Sequence, residues 1–94
     1  MKEKISQLLI KNQIDFKNGF GGFCDFIFKY LQNKFIINCK TYFDNDLMPY
    51  YSIEIKVVFK DDKCEYSCFS YDFDKCLNYF DDIMKFTGVF PKND

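Results

Sequence analysis

The 94-residue chain carries 13 basic and 14 acidic side chains, a formal net charge of −1, and it contains no His, Arg, Trp or Ala, so every basic side chain is Lys. Without His there is no imidazole base, no His-oriented nucleophile and no His metal ligand; without Arg there is no bidentate clamp for carboxylate or phosphate. Near-neutral, interspersed charge also gives no basic footprint for nucleic acid.

Residues 2–13 predict a short helix. Ile5, Leu8 and Leu9 stand at i, i+3 and i+4 on one stripe, Glu3 suits the positive N-terminal end, and Lys11 suits the other. Asn12 can take the left-handed conformation that ends a helix. Ile14 to Lys17 then alternates in polarity, and Asn18-Gly19 is the strongest two-residue signal for a type I′ hairpin turn. The Gly21-Gly22 pair that follows is equally compatible with a bulge or an open loop. It has neither P-loop nor dinucleotide spacing. Phe23 to Leu31 reads as a strand with Cys24, Phe26, Phe28 and Tyr30 on one face. A helix would group Phe23, Phe26, Ile27, Tyr30 and Leu31 instead, and the aromatic content and short length favour the strand.

Gln32-Asn33-Lys34 reads as a turn. Phe35 to Phe43 is a strand that sends Phe35, Ile37, Cys39, Thr41 and Phe43 to one face and Asn38 and Lys40 to the other. After the loop Asp44-Asn45-Asp46-Leu47-Met48-Pro49, residues 50–71 read as a β-hairpin. Its first strand places Tyr51, Ile53, Ile55, Val57 and Phe59 at every second position, with Ser52, Glu54 and Lys56 on the wet side. Lys60-Asp61-Asp62-Lys63 is a charged reversal. On the return strand Cys64, Tyr66 and Cys68 share one face, and Glu65, Ser67, Phe69 and Tyr71 share the other. Phe69 and Tyr71 either pack under a helix end or lie exposed. The last helix spans roughly residues 73–87, with Asp72 as N-cap and a continuous stripe of Phe73, Cys76, Leu77, Phe80, Ile83 and Met84. Gly88 and Pro91 stop it, Val89 and Phe90 can tuck back, and residues 91–94 form a frayed tail.

The expected fold is α+β, a single compact domain over residues 1–94. It is a two-layer sandwich in which an antiparallel sheet of three to four strands, five at most, is flanked by an N-terminal and a C-terminal helix. The order α-β-β-β-α is similar, in topology alone, to that of the double-stranded-RNA-binding domain. That fold meets phosphates with Lys or Arg at the start of its second helix, where this chain has Asp72 and Asp74.

The candidate chemistries fall short of their requirements. Cys64-x3-Cys68 with Cys76 downstream is the nearest approach to a metal pattern, but zinc takes four ligands in close pairs and no His completes the set. Asp44-Asn45-Asp46 opens like a calcium loop and lacks the later Gly and Glu. The expectation is therefore no metal, no cofactor, no catalytic residue and no enzyme, with most of the five Cys acting as small core residues. No apolar run approaches the ~18 residues of a membrane span, and Met1-Lys2-Glu3-Lys4 is followed by no leader-like run. The expected location is the cytoplasm, with reduced thiols.

An apolar content of 48% and an aromatic content of 21% exceed what so small an interior can hide, which puts some of the 13 Phe and 7 Tyr on the surface. Richness in Phe, Tyr, Ile, Asn and Lys matches AT-rich coding, as in a low-GC bacterium, its phage or a mobile element. The expected role is a small non-enzymatic protein that binds and sterically blocks another protein, of the counter-defence, anti-CRISPR type. Its target would be a nucleic-acid-handling defence complex. The expected contact residues are Tyr42, Asp44, Asp46, Met48 and Tyr50 in and beside the 43–51 loop, and Asp74, Asp81 and Asp82 on the last helix. The competing expectations are a structural homodimer, which would use the same surplus apolar surface, and a single-strand nucleic-acid binder using aromatics and Lys.

Overall fold

A computed structural model describes residues 1–19 and 24–92. Helix α1 (Lys2–Lys11) is followed by strands β1 (Lys17–Asn18), β2 (Phe26–Tyr30), β3 (Asn33–Phe43), β4 (Pro49–Phe59) and β5 (Asp62–Ser70), and helix α2 (Phe73–Phe86) closes the domain. The strands form one antiparallel meander in chain order. Both helices lie on one face, and the molecule measures 43 × 35 × 22 Å, the short dimension being one sheet plus one helix layer. This is the expected α+β sandwich, with the fifth strand present as a two-residue edge.

The alternation of side chains sorts the centre of the sheet, while Phe59, expected on the apolar face, is exposed at the end of β4. Phe26, Phe28, Phe35, Ile37, Cys39, Ile53 and Ile55 are buried under Ile5 and Leu9 of α1 and Cys76, Phe80 and Met84 of α2. The hairpin pairing keeps Ile53 opposite Cys68 and Ile55 opposite Tyr66, so β5 contributes its expected face. Asp72 caps α2 by accepting from the backbone N–H groups of Asp74 at 3.0 Å and Lys75 at 3.3 Å. Gly88 takes φ 86° after the helix, and Val89 and Phe90 fold back into the core, with Phe90 edge-on to Phe80 at 5.9 Å.

Several local expectations are corrected. The left-handed residue ending α1 is Gln13, not Asn12. The Ile14 N–H donates to the Leu9 carbonyl and the Gln13 N–H to that of Ile10, the paired bonds of a Schellman ending, while the Asn12 side chain donates to Leu8 O. Asn18-Gly19 is no hairpin turn. Asn18 is already paired with Phe26, and the Gly19 N–H donates to Asp25 O. Gly is needed at 19 because a Cβ would collide with the Cys24 carbonyl oxygen. The Gly21-Gly22 loop and Phe23 lie outside the described residues, as do positions 93 and 94 of the expected tail; Pro91 and Lys92 are exposed.

The turn after β2 comes one residue earlier than expected, and the turn after β4 begins at Lys60 as expected but is two residues long, because Asp62 and Lys63 already pair in β5. The two turns are Leu31-Gln32 and Lys60-Asp61, each beginning with a non-Gly residue at positive φ, 56° and 52° respectively. Ser52, expected on the wet side, is buried because its larger cross-strand neighbours Lys40 and Phe69 cover it. Only Cys39 and Cys76 are core cysteines; Cys24 and Cys68 are half-buried and Cys64 is exposed.

One mismatch of dimensions shapes the molecule. β3 and β4 are eleven residues each, roughly 35 Å at strand rise. α2 has fourteen residues, about 21 Å at helical rise. The sheet therefore outruns its helix layer. Thr41 and Phe43, placed by alternation on the helix side, are exposed, Phe43 by 65%.

Candidate functional site

The overhang is the most distinctive surface of the domain. On its outer face Tyr42 stacks on its cross-strand partner Tyr50, with ring centroids 5.2 Å apart and planes 18° apart. Tyr71, just past β5, leans on Tyr50 at 5.6 Å. Phe69 lies beside them on β5 and is exposed, as is Tyr71. Around the tip, Phe43, Leu47 and Met48 extend the apolar surface, with Leu47 exposed by 78%.

The loop that carries Leu47 and Met48 is held by one carboxylate. Asp44 Oδ1 accepts from the backbone N–H groups of Asp46 and Met48, both at 2.9 Å, and Oδ2 accepts from the Tyr71 hydroxyl at 3.0 Å. Backbone bonds between Asp44 and Met48, and from the Leu47 N–H to the Asp44 carbonyl, close the turn, with Leu47 at φ 61°. The Met48 N–H, and after it the Tyr71 hydroxyl and the Asp46 N–H, hold the Asp44 carboxyl below its ordinary range. The same bond pushes the Tyr71 phenol up, because the hydroxyl proton is held by a carboxylate.

The expected contact residues thus separate into groups. Tyr42, Met48 and Tyr50 are on the tip, and Asp46 is exposed beside them. Asp44 is there too, with both carboxylate oxygens engaged inside the loop. Asp74 is exposed in the first turn of α2, near Tyr71 in sequence and structure. Asp81 and Asp82 stand about two turns further along the helix, roughly 10–12 Å of rise from Asp74. Asp81 is paired with Lys85 at 2.7 Å, an ion pair that raises the Lys85 pKa. Asp74 and Asp82 instead border a shallow depression with Cys68, Asp72, Lys75, Asn78 and Tyr79.

Phe43 and Leu47 belong to the expected 43–51 contact loop without being expected contact residues themselves, and Phe69 and Tyr71 join the tip from outside it. The outer-face placement of Phe69 and Tyr71 was a usable signal. Phe43 required comparing strand length with helix length.

Elsewhere, Asp25 accepts from the Cys39 N–H and pairs with Lys2 at 2.9 Å, satisfying the sheet where β2 begins. Burial, then the Asp25 charge, pushes the Cys39 thiol up to about 12, so it stays protonated at neutral pH. Among the described residues no group of three or more His, Cys, Asp or Glu could hold a metal ion, and no helix is long and apolar enough to cross a membrane. No family model, characterised protein or solved structure matches the chain.

Proposed function

We propose that this chain is a small, non-enzymatic, cytoplasmic protein-binding module that blocks or modulates its partner by occupying a surface with the overhanging end of its sheet. The observation that carries this reading is the tip itself. Seven apolar or aromatic side chains, Tyr42, Phe43, Leu47, Met48, Tyr50, Phe69 and Tyr71, project from one end of the sheet, and the loop among them is fixed by Asp44. Rigid aromatics in such a cluster lose little side-chain entropy on binding, and Tyr is a frequent hot-spot residue. Loops that serve only as connections have no need of this surface.

Acidic groups at the tip and at the start of α2, Asp46, Asp72 and Asp74, argue for a partner surface with an apolar socket and a basic border. Enzymes and complexes that handle nucleic acid present such borders. The Phe-, Tyr-, Ile-, Asn- and Lys-rich composition fits AT-rich coding, as in a phage or mobile element of a low-GC bacterium, so an anti-CRISPR-type inhibitor of a defence complex is the specific form of the proposal.

The test is capture by the tagged protein from nuclease-treated lysate of a low-GC host, with mass spectrometry of what is retained. A stoichiometric protein retained by wild type and lost with Tyr50→Ala and Asp46→Lys supports the reading. Capture indifferent to both substitutions contradicts it.

A homodimer is the second reading, and a separate observation favours it. Among the described residues β5 pairs only with β4, leaving nine residues of strand edge open to a second copy. Light scattering at high concentration separates the two: monomer alone rules the dimer out.

A further inference from the structure

The geometry points to a second site, independent of the tip: Cys68 on β5 and Cys76 on α2 form a dithiol that a peroxide converts to a disulfide joining the helix to the sheet. Their Sγ atoms are 3.9 Å apart with nothing between them, and Cys76 Sγ also lies 3.7 Å from Tyr51 O. A disulfide needs sulfurs at about 2.05 Å, so rotation about the two Cα–Cβ bonds has only a short gap to close.

The other thiols are excluded by position: Cys24, at the start of the β2 edge, is three strand spacings from β5, roughly 14 Å. Cys64 and Cys68 are four residues apart on one strand, roughly 13 Å. Cys39 and Cys68 both pair with Ile53 from opposite sides, which separates their backbones by about 9.6 Å, beyond bridging range. Cys76, the buried member, is the one sulfur within reach of Cys68 among the described residues.

The two members are unequal, and that fixes the order of events. Cys68 borders the solvent-facing depression lined by Lys75, Asn78 and Tyr79, whereas Cys76 is fully buried. Burial, then the Cys68 sulfur, keeps Cys76 protonated, with its thiol pushed up to about 11. Peroxide therefore meets Cys68. The Cys68 sulfur attacks one peroxide oxygen, the O–O bond breaks, a sulfenic acid forms, and the released hydroxide takes the thiol proton as water. The Cys76 sulfur then attacks the Cys68 sulfur, the S–O bond breaks, and the departing hydroxide takes the Cys76 proton as a second water. Two thiols are oxidised by two electrons in all, and one peroxide is reduced to two waters. The bridge pins the first turns of α2 to β5, four residues past the Asp72 cap, and so stiffens the segment that carries Tyr71 and Asp74.

The test treats the full, reduced chain with hydrogen peroxide at neutral pH, blocks remaining thiols and maps the unreduced peptides by mass spectrometry. The expected product is lighter by about two mass units, carries a Cys68–Cys76 cross-linked peptide and reverts with a thiol reductant. Its melting temperature is raised by roughly 10–15 °C. Cys76→Ser is expected to stop at a sulfenic acid on Cys68 that dimedone traps. Over-oxidation of Cys68 while Cys76 still takes the blocking reagent, or products linked only through Cys64, would overturn the assignment. The linkage is read on wild type, so a variant that fails to fold leaves the decision intact.

Discussion

Tyr71 and Asp44, 27 residues apart in sequence, are joined by a 3.0 Å hydrogen bond that ties the entry to α2 to the β3–β4 loop. The same carboxylate holds the Asp46 and Met48 amides. One side chain therefore keeps the loop, the tyrosine stack and the approach to the last helix in a fixed relation, although every member is at the surface.

The first prediction follows from the titration of that bond. The Asp44 pKa is depressed, so its contribution to loop order is present above its ordinary value and is lost as pH falls through the folded value. The Tyr71 pKa is raised, so its contribution is present below its ordinary value and is lost as pH rises through the folded value. The loop should be tightest between roughly pH 4 and pH 10. Protection factors at the Met48 and Asp46 amides, corrected for the intrinsic pH dependence of exchange, should fall only below the acidic edge of that window, and Asp44→Ala should show the lowered protection at neutral pH while the core amides stay protected.

The second contrasts two phenylalanines. Phe80 is fully buried in the α2 stripe, and Phe69 is 59% exposed on the outer face. Phe80→Ala should cost about 3–5 kcal/mol in urea unfolding, a large share of a small domain's stability. Phe69→Ala should stay within about 0.5 kcal/mol. Equal costs would mean that the sheet buries its outer face as well.

The third concerns the tight turns. Leu31 and Lys60 open two-residue hairpin turns at positive φ, where a Cβ is strained, and both side chains are exposed. Leu31→Gly and Lys60→Gly should each stabilise by about 0.5–1 kcal/mol, because relief of left-handed strain outweighs the added freedom of the unfolded chain. The urea midpoint should rise with an unchanged slope.

These turns also mark what the sequence could and could not convey. Period-two alternation identifies the buried faces of β3 and β4 and the half-buried face of β5, where Tyr66 and Cys68 lie, and the α2 stripe with Asp72 and Gly88 is legible because capping is local. Leu31 carries no turn signal, so local residue preferences place the β2–β3 reversal one residue late. Asn18-Gly19 carries a strong one, yet the pairing of Asn18 with Phe26 takes precedence over it. At the candidate site Tyr42 and Tyr50 were readable as a cross-strand pair. The exposure of Phe43 depends on strands outrunning a helix, and the Tyr71–Asp44 bond depends on a fold that brings distant segments together. Neither is written in any short window of residues.

The most direct measurement of the central claim is the affinity of the captured partner for three versions of the protein: wild type, Leu47→Asp with Met48→Asp at the tip, and Phe86→Asp at the far end of α2, where an equally exposed aromatic offers a control. With melting temperatures matched, the account predicts a loss of roughly 30-fold or more for the tip variant and less than about 3-fold for Phe86→Asp. Unchanged affinity at the tip, or the larger loss at Phe86, would contradict it.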